Sequence, residues 1–288
     1  MIRFEYAEPR TLREASETLL SNQGGASVLA GGTDLLVEIK EHLRSTRCVV
    51  NIKRIPGLDG LSFEPGAGLR FGALATARAL EIDADVGCHY PGLQQAVREL
   101  GSIQVRNRAT VVGNICRASP SADTLPPLIT DGATMVIGDG NATREILLED
   151  FFTGPGKTVL RAGELVLAIH VPPPPLRTGR VYIKHGRRKA MELATVGVAV
   201  SLTLDAKGVC RQARIALGAV APTPIRARAA EAVLEGEMIS DEIIAQAAKL
   251  AMNAGQPISN VRASAGYRRE MTCVLTRRAL AQALARIK

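Results

Sequence analysis

Four consecutive prolines, Pro172 to Pro175, constrain this chain more than any other feature. Proline has no backbone N–H for a strand ladder and its ring fixes φ, so neither a helix nor a central strand crosses the run. The chain therefore divides at about residue 176. At 288 residues, two or three structural units are expected rather than one core.

Before the prolines, Thr11-Leu-Arg-Glu14 has the form of a capping box and opens a helix to Leu20. Val28 to Ala30 predicts a strand, Gly31-Gly32 a turn, Asp34 to Leu43 a helix carrying Leu35, Leu36, Ile39 and Leu43, and Cys48 to Ile52 a second strand. Residues 56 to 172 alternate short strands (Leu69 to Phe71, Thr134 to Ile137, Leu165 to Val171) with a helix near Leu93 to Leu100. After the prolines, Gly197 to Leu204 and Val209 to Leu217 form a hairpin around Asp205-Ala-Lys-Gly208. Helices follow over Ile225 to Leu234, over Asp241 to Asn253 between Ser240 as N-cap and Gly255 as C-cap, and from about Ser264 to the end. The expected class is α+β, with a small antiparallel sheet packed by helices as the last unit.

Hydrophobic residues are 46% and charged ones 22% of the chain, the composition of a folded globular protein. The start, Met1-Ile-Arg-Phe-Glu-Tyr6, lacks a secretion signal and no apolar run of membrane-spanning length occurs, so a cytoplasmic location is expected. Cys48, Cys88, Cys116, Cys210 and Cys273 contain no CxxC pair, which argues against a disulfide framework or a zinc or iron–sulfur site; they read as mostly buried thiols. The net charge of +8 is concentrated after residue 176, where 19 Lys/Arg face 8 Asp/Glu. That surface suits either a docking partner or plain solvation. With aromatics at 3% and no tryptophan, nucleic acid is not an expected partner.

Two segments carry chemistry. In Leu29-Ala-Gly-Gly-Thr-Asp-Leu-Leu-Val-Glu-Ile-Lys40 a strand delivers two glycines to a helix start, where free N–H groups and a flexible backbone suit a phosphate. A plain strand-to-helix turn is the competing reading. The segment is not a Rossmann fingerprint, because GxGxxG is absent. Gly154-Pro-Gly-Lys-Thr158 is a turn rather than a P-loop, since the glycine needed five residues before Gly156 is Phe151. The second segment, Arg108 to Asp123, gathers Thr110, Gly113, Asn114, Ser119, Ser121 and Asp123 on a loop, as phosphate and ribose donors and acceptors or as a polar surface loop. No HExxH and no GxSxG occurs.

Together these segments resemble the two dinucleotide-binding motifs of the flavoprotein subunit of molybdenum hydroxylases, the xanthine dehydrogenase and carbon monoxide dehydrogenase group. The likeness runs along the whole chain, through Thr153-Gly154, Glu164 to Pro172, Lys184, Ala219 to Pro224 and Tyr267 to Met271. It implies a two-subdomain FAD-binding domain of the PCMH type over residues 1–176 (subdomains about 1–55 and 56–176), then a C-terminal flavoprotein domain over 177–288. It also implies non-covalent FAD, with phosphate-side contacts from Val28, Leu29, Ala30, Gly31, Gly32, Thr33, Asp34 and Leu35 and from Thr110, Gly113 and Asn114. Asp123 becomes a ribose-side contact, Val166 an apolar contact and Lys184 a cation near the flavin. Where the family has a glycine pair, this chain has Val112-Gly113, so Val112→Gly is expected to be tolerated. The implied partners are a molybdenum-cofactor large subunit, a two-cluster [2Fe-2S] small subunit and an acceptor such as NAD, quinone or ferredoxin. A stand-alone flavoenzyme acting on a small substrate is the alternative, and it would need a general base that no residue announces. A cofactor-free basic docking module is a third reading.

Overall fold

The computed structural model describes residues 3–287; Met1, Ile2 and Lys288, on which fall the first residues of the start read for a secretion signal and the end of the helix expected to run to the last residue, lie outside them. The first layer is β1 (Glu5–Ala7), α1 (Leu12–Ser21), β2 (Ala26–Leu29), α2 (Leu35–Lys40) and β3 (Cys48–Asn51). Its strands form a parallel sheet in the order β1-β3-β2. Thr11 caps α1, its hydroxyl accepting from the Glu14 N–H at 3.2 Å, while Glu14 reaches back to the N–H of Arg10 at 2.7 Å. Helix α2 is shorter than the apolar spacing predicts. His42 turns left-handed at φ 59° and the N–H of Leu43 closes onto the carbonyl of Glu38, so Leu43 is left exposed.

The second layer follows from β4 (Leu61–Glu64) and β5 (Gly68–Gly72) through a run of short helices. These are α3 (Ala77–Ile82), α4 (Ala84–His89), α5 (Pro91–Arg98), α6 (Ile103–Arg106), α7 (Val111–Cys116) and α8 (Leu125–Thr130). Then come β6 (Thr134–Gly138), β7 (Thr143–Leu147), the small hairpin of β8 (Phe152–Gly154) and β9 (Lys157–Thr158), and β10 (Leu165–Val171). The antiparallel sheet has the order β4-β5-β10-β6-β7. One apolar core runs from Ala15 through Phe71, Leu93, Leu125 and Met135 to Val171. The segment expected to be all loop contains α7, because Val111, Val112 and Ile115 are spaced to bury one face of a helical turn and Thr110 caps it.

The prolines join β10 to the third layer, β11 (Thr178–His185), β12 (Val196–Leu204), β13 (Cys210–Gly218) and β14 (Ile225–Arg226), followed by α9 (Arg228–Ala232), α10 (Asp241–Ala254) and α11 (Ala265–Ala285). Its antiparallel order is β11-β12-β13-β14. The helix expected from Ile225 starts later, since Ile225 and Arg226 pair with Leu217 and Ala216. Gly255 ends α10 at φ −96°, so it stops the helix without a left-handed cap. Helix α11 covers one face of this sheet and α5 and α8 cover the other. That double burial makes β12 almost wholly buried rather than half-solvated. Buried ion pairs stitch the layers: Arg180 Nε lies 2.7 Å from Asp131 Oδ1 and Lys184 Nζ 2.8 Å from Asp123 Oδ2. Of the five cysteines Cys48 and Cys210 are buried, Cys116 and Cys273 half-buried and Cys88 exposed, all as free thiols, so the expectation of mostly buried thiols holds for two. No helix among the described residues is long and apolar enough to cross a membrane.

Candidate functional site

A trough of about 620 Å³ opens where the three layers meet. Its first wall is the β2–α2 turn. Gly31 must be glycine: a Cβ there would stand 2.1 Å from the carbonyl oxygen of Arg108 and 2.9 Å from Cα of Ala109. The two chemistry-bearing segments thus touch backbone to backbone. Gly32 takes φ 75°, a conformation natural to glycine, and its missing side chain faces Leu29 and Leu36. Among the described residues, the N–H groups of Gly31, Gly32, Thr33 and Asp34 donate to no protein acceptor. Four neutral donors on one turn are suited to an oxyanion.

The second wall begins at Thr110, whose hydroxyl accepts the N–H of Gly113 at 3.0 Å and fixes the first turn of α7. Asn114, one turn on, accepts from the hydroxyl of Thr124 at 2.7 Å. Val112 is buried in the core and also borders the trough. The floor is apolar, with Leu165 and Val166 of β10. At the far end stands Asp123, whose oxygens accept from the hydroxyl of Tyr182 at 2.7 Å and from Lys184 at 2.8 Å. Burial outweighs the attraction of Lys184 and pushes the Asp123 carboxyl up to about 6. Burial also drives the Tyr182 hydroxyl well above its ordinary range, with the Asp123 charge adding to the shift.

Of the residues singled out in the sequence, Val28, Ala30, Gly31, Gly32, Thr33, Asp34, Leu35, Thr110, Gly113, Asn114, Asp123 and Val166 line this trough. Leu29 and Lys184 do not: Leu29 packs inward with Ile39 and Val49, and Lys184 is spent on Asp123 and on the carbonyl of Glu99 at 3.0 Å. Residues not anticipated also line it, notably Glu38, Arg44 and Arg117 at the rim and Met191, Glu192 and Leu193 from the β11–β12 connection. No local signal marks Met191 to Leu193, whose position follows from pairing His185 with Val196 across the third sheet.

This donor set fits an extended dinucleotide: neutral N–H groups and hydroxyls for a pyrophosphate, a buried carboxylate for hydroxyls, and apolar floor for a ring. The thiol of Cys116 also faces the trough, but burial raises it to about 12, which leaves it protonated and a poor nucleophile for a covalent flavin link.

A family described as FAD binding domain in molybdopterin dehydrogenase matches residues 2–174, and one described as CO dehydrogenase flavoprotein C-terminal domain matches residues 181–283. The xanthine dehydrogenase FAD-binding subunit of Escherichia coli O157:H7 is 32% identical over 281 residues, 97% of this chain and 96% of that protein. The carbon monoxide dehydrogenase medium chain of Hydrogenophaga pseudoflava is 33% identical over 284 residues, 99% of this chain and 98% of that one. A solved structure of carbon monoxide dehydrogenase from Hydrogenophaga pseudoflava, lacking the Mo-pyranopterin moiety of the molybdenum cofactor, superimposes with a TM-score of 0.95 at 34% identity and covers 100% of both chains.

Proposed function

We propose, from the premise that this chain belongs to the family of FAD-binding subunits of molybdopterin dehydrogenases, that its trough holds one non-covalent FAD on an electron path through a larger enzyme. The chain is an oxidoreductase subunit in a molybdenum, iron–sulfur and flavin complex. Its partners are a molybdenum-cofactor large subunit and a two-cluster [2Fe-2S] small subunit. Bound FAD supplies a centre that takes electrons singly from clusters and gives them in pairs to an acceptor such as NAD, a quinone or ferredoxin. The working location in this reading is the cytoplasm.

The residues divide the task. The N–H groups of Gly31 to Asp34 and the capped turn from Thr110 to Asn114 hold the pyrophosphate from two sides. Asp123 meets ribose hydroxyls, Val166 supports the ring system, and Lys184 acts near the flavin through the carboxylate it pairs with. Residues 1–176 serve as the cofactor-binding domain, with subdomains about 1–55 and 56–176, and residues 177–288 close the trough from the other side. The observation that carries this reading is the apposition of two donor-rich turns, from different layers, at a contact only glycine allows.

Reconstitution tests it. Purified chain refolded or dialysed with flavin should take up one FAD per chain, released intact on denaturation. A protein that binds only FMN, or no flavin at all after reconstitution, would refute the proposal.

A further inference from the structure

The two walls of the trough are also joined by charge. Arg117, at the end of α7, places Nη2 2.6 Å from Oε1 of Glu38 on α2, with its Nε 3.9 Å from Oδ2 of Asp34. The other oxygen of Glu38 is held from behind by Nε of Arg44 at 2.8 Å. All four side chains line the cavity. The Arg117 end is braced by the β8–β9 hairpin, where the N–H of Gly156 donates to the carbonyl of Ala118 at 2.9 Å. The Glu38 side chain is only 16% exposed against 40% for Arg117, so the carboxylate is the enclosed half of the pair and the arginine the half that faces solvent.

We propose that the Glu38–Arg117 pair, backed by Arg44, is a clasp across the trough that slows release of FAD, opening when the cofactor enters or leaves and closing over it once seated. The proposal rests on the FAD reading above. The walls belong to different layers, so the width of the trough is set by what joins them. At one side the join is the backbone contact of Gly31 with Arg108, which cannot open without moving both turns. At the other it is an ion pair reaching from one helix to another, which can open by rotation of one long side chain. The same arginines neutralise Asp34 and Glu38, two carboxylates that would otherwise repel a pyrophosphate at the Gly31–Asp34 turn.

The test uses the full-length FAD-loaded protein and follows flavin release on dilution, at low and high salt, for the wild type, Glu38→Gln, Arg117→Gln, the double variant and Arg117→Lys. Each neutralising variant should release FAD about two- to five-fold faster, the range set by a partly exposed ion pair. The double variant should be no faster than the faster single one, because one interaction is lost once. Salt should speed release from the wild type and leave the double variant unchanged, Arg117→Lys should recover part of the slow release, and the melting temperatures of the apoproteins should fall by no more than about 2–4 °C. Release rates that do not change, or Glu38→Gln slowing release while Arg117→Gln speeds it, would overturn the clasp while leaving FAD binding intact. A wild type that takes up no FAD removes both the clasp and the reading it rests on.

Discussion

A methyl group at Gly31 would stand 2.1 Å from the Arg108 carbonyl, closer than any side-chain carbon tolerates, so Gly31→Ala must push the two walls apart. FAD affinity should fall on the order of tenfold or more in this variant. Gly32→Ala should do less: it strains a φ of 75° by about 1–2 kcal/mol and pushes toward the movable side chains of Leu29 and Leu36. Flavin absorbance per chain distinguishes the two, and equal occupancy in both variants would contradict the backbone contact. Asp123 carries a different signature. Its carboxyl is raised in the folded state to about 6, chiefly by burial, which with a small addition from the Glu99 charge outweighs the lowering by Lys184 and by the Tyr182 hydroxyl. A raised carboxyl favours the folded state most below its unfolded value, and that contribution is lost as pH rises through about 6. In urea titrations of the apoprotein, the stability difference between wild type and Asp123→Asn should therefore shift against the wild type from about pH 4 to pH 6 and be flat above. A difference independent of pH would show that this carboxyl titrates normally.

At the scale of elements, α7 shows how packing redirects a loop-like sequence. Hydroxyls and small residues suggest an irregular segment, yet Val111, Val112 and Ile115 bury one helical face while Thr110 and Asn114 line the trough. Val112→Gly, which looks harmless beside the family's glycine pair, removes a buried side chain and places glycine inside a helix. The expected loss is about 2–4 kcal/mol, read as a lower urea midpoint with flavin binding retained in what stays folded. A variant as stable as the wild type would mean that Val112 is not packed as the structure has it. The Ile225 to Leu234 segment teaches the converse, since helical spacing is present but Ile225 and Arg226 are claimed by the edge of a sheet.

At the scale of the molecule, the basic C-terminal third is less free than its count suggests. Arg180, Lys184 and Arg226 are tied to Asp131, Asp123 and Glu231 and largely buried, which leaves exposed arginines such as Arg277 and Arg278 on α11 for a partner. The lone chain should hold FAD but show no rapid flavin reduction by candidate substrates. Reduction should appear with co-expressed partner subunits and weaken at high salt if those arginines help docking. Rapid substrate-driven reduction of the isolated chain would instead favour a flavoenzyme acting by itself.

The sequence by itself determined what depends on neighbours along the chain: the capping box at Thr11, the strand–glycine–helix turn at Gly31-Gly32, the hairpin around Asp205 to Gly208, and the break at Pro172 to Pro175. Resemblance of its two motifs to a known family extended that to a cofactor. Tertiary structure alone decided which residues meet across layers. Asp123 and Lys184 are 61 positions apart, Glu38 and Arg117 join separate helices, and Met191 to Leu193 reach the trough through a hairpin register set elsewhere. Such contacts arise from the packing of whole faces rather than from local spacing, and no pattern in a single sequence encodes them directly.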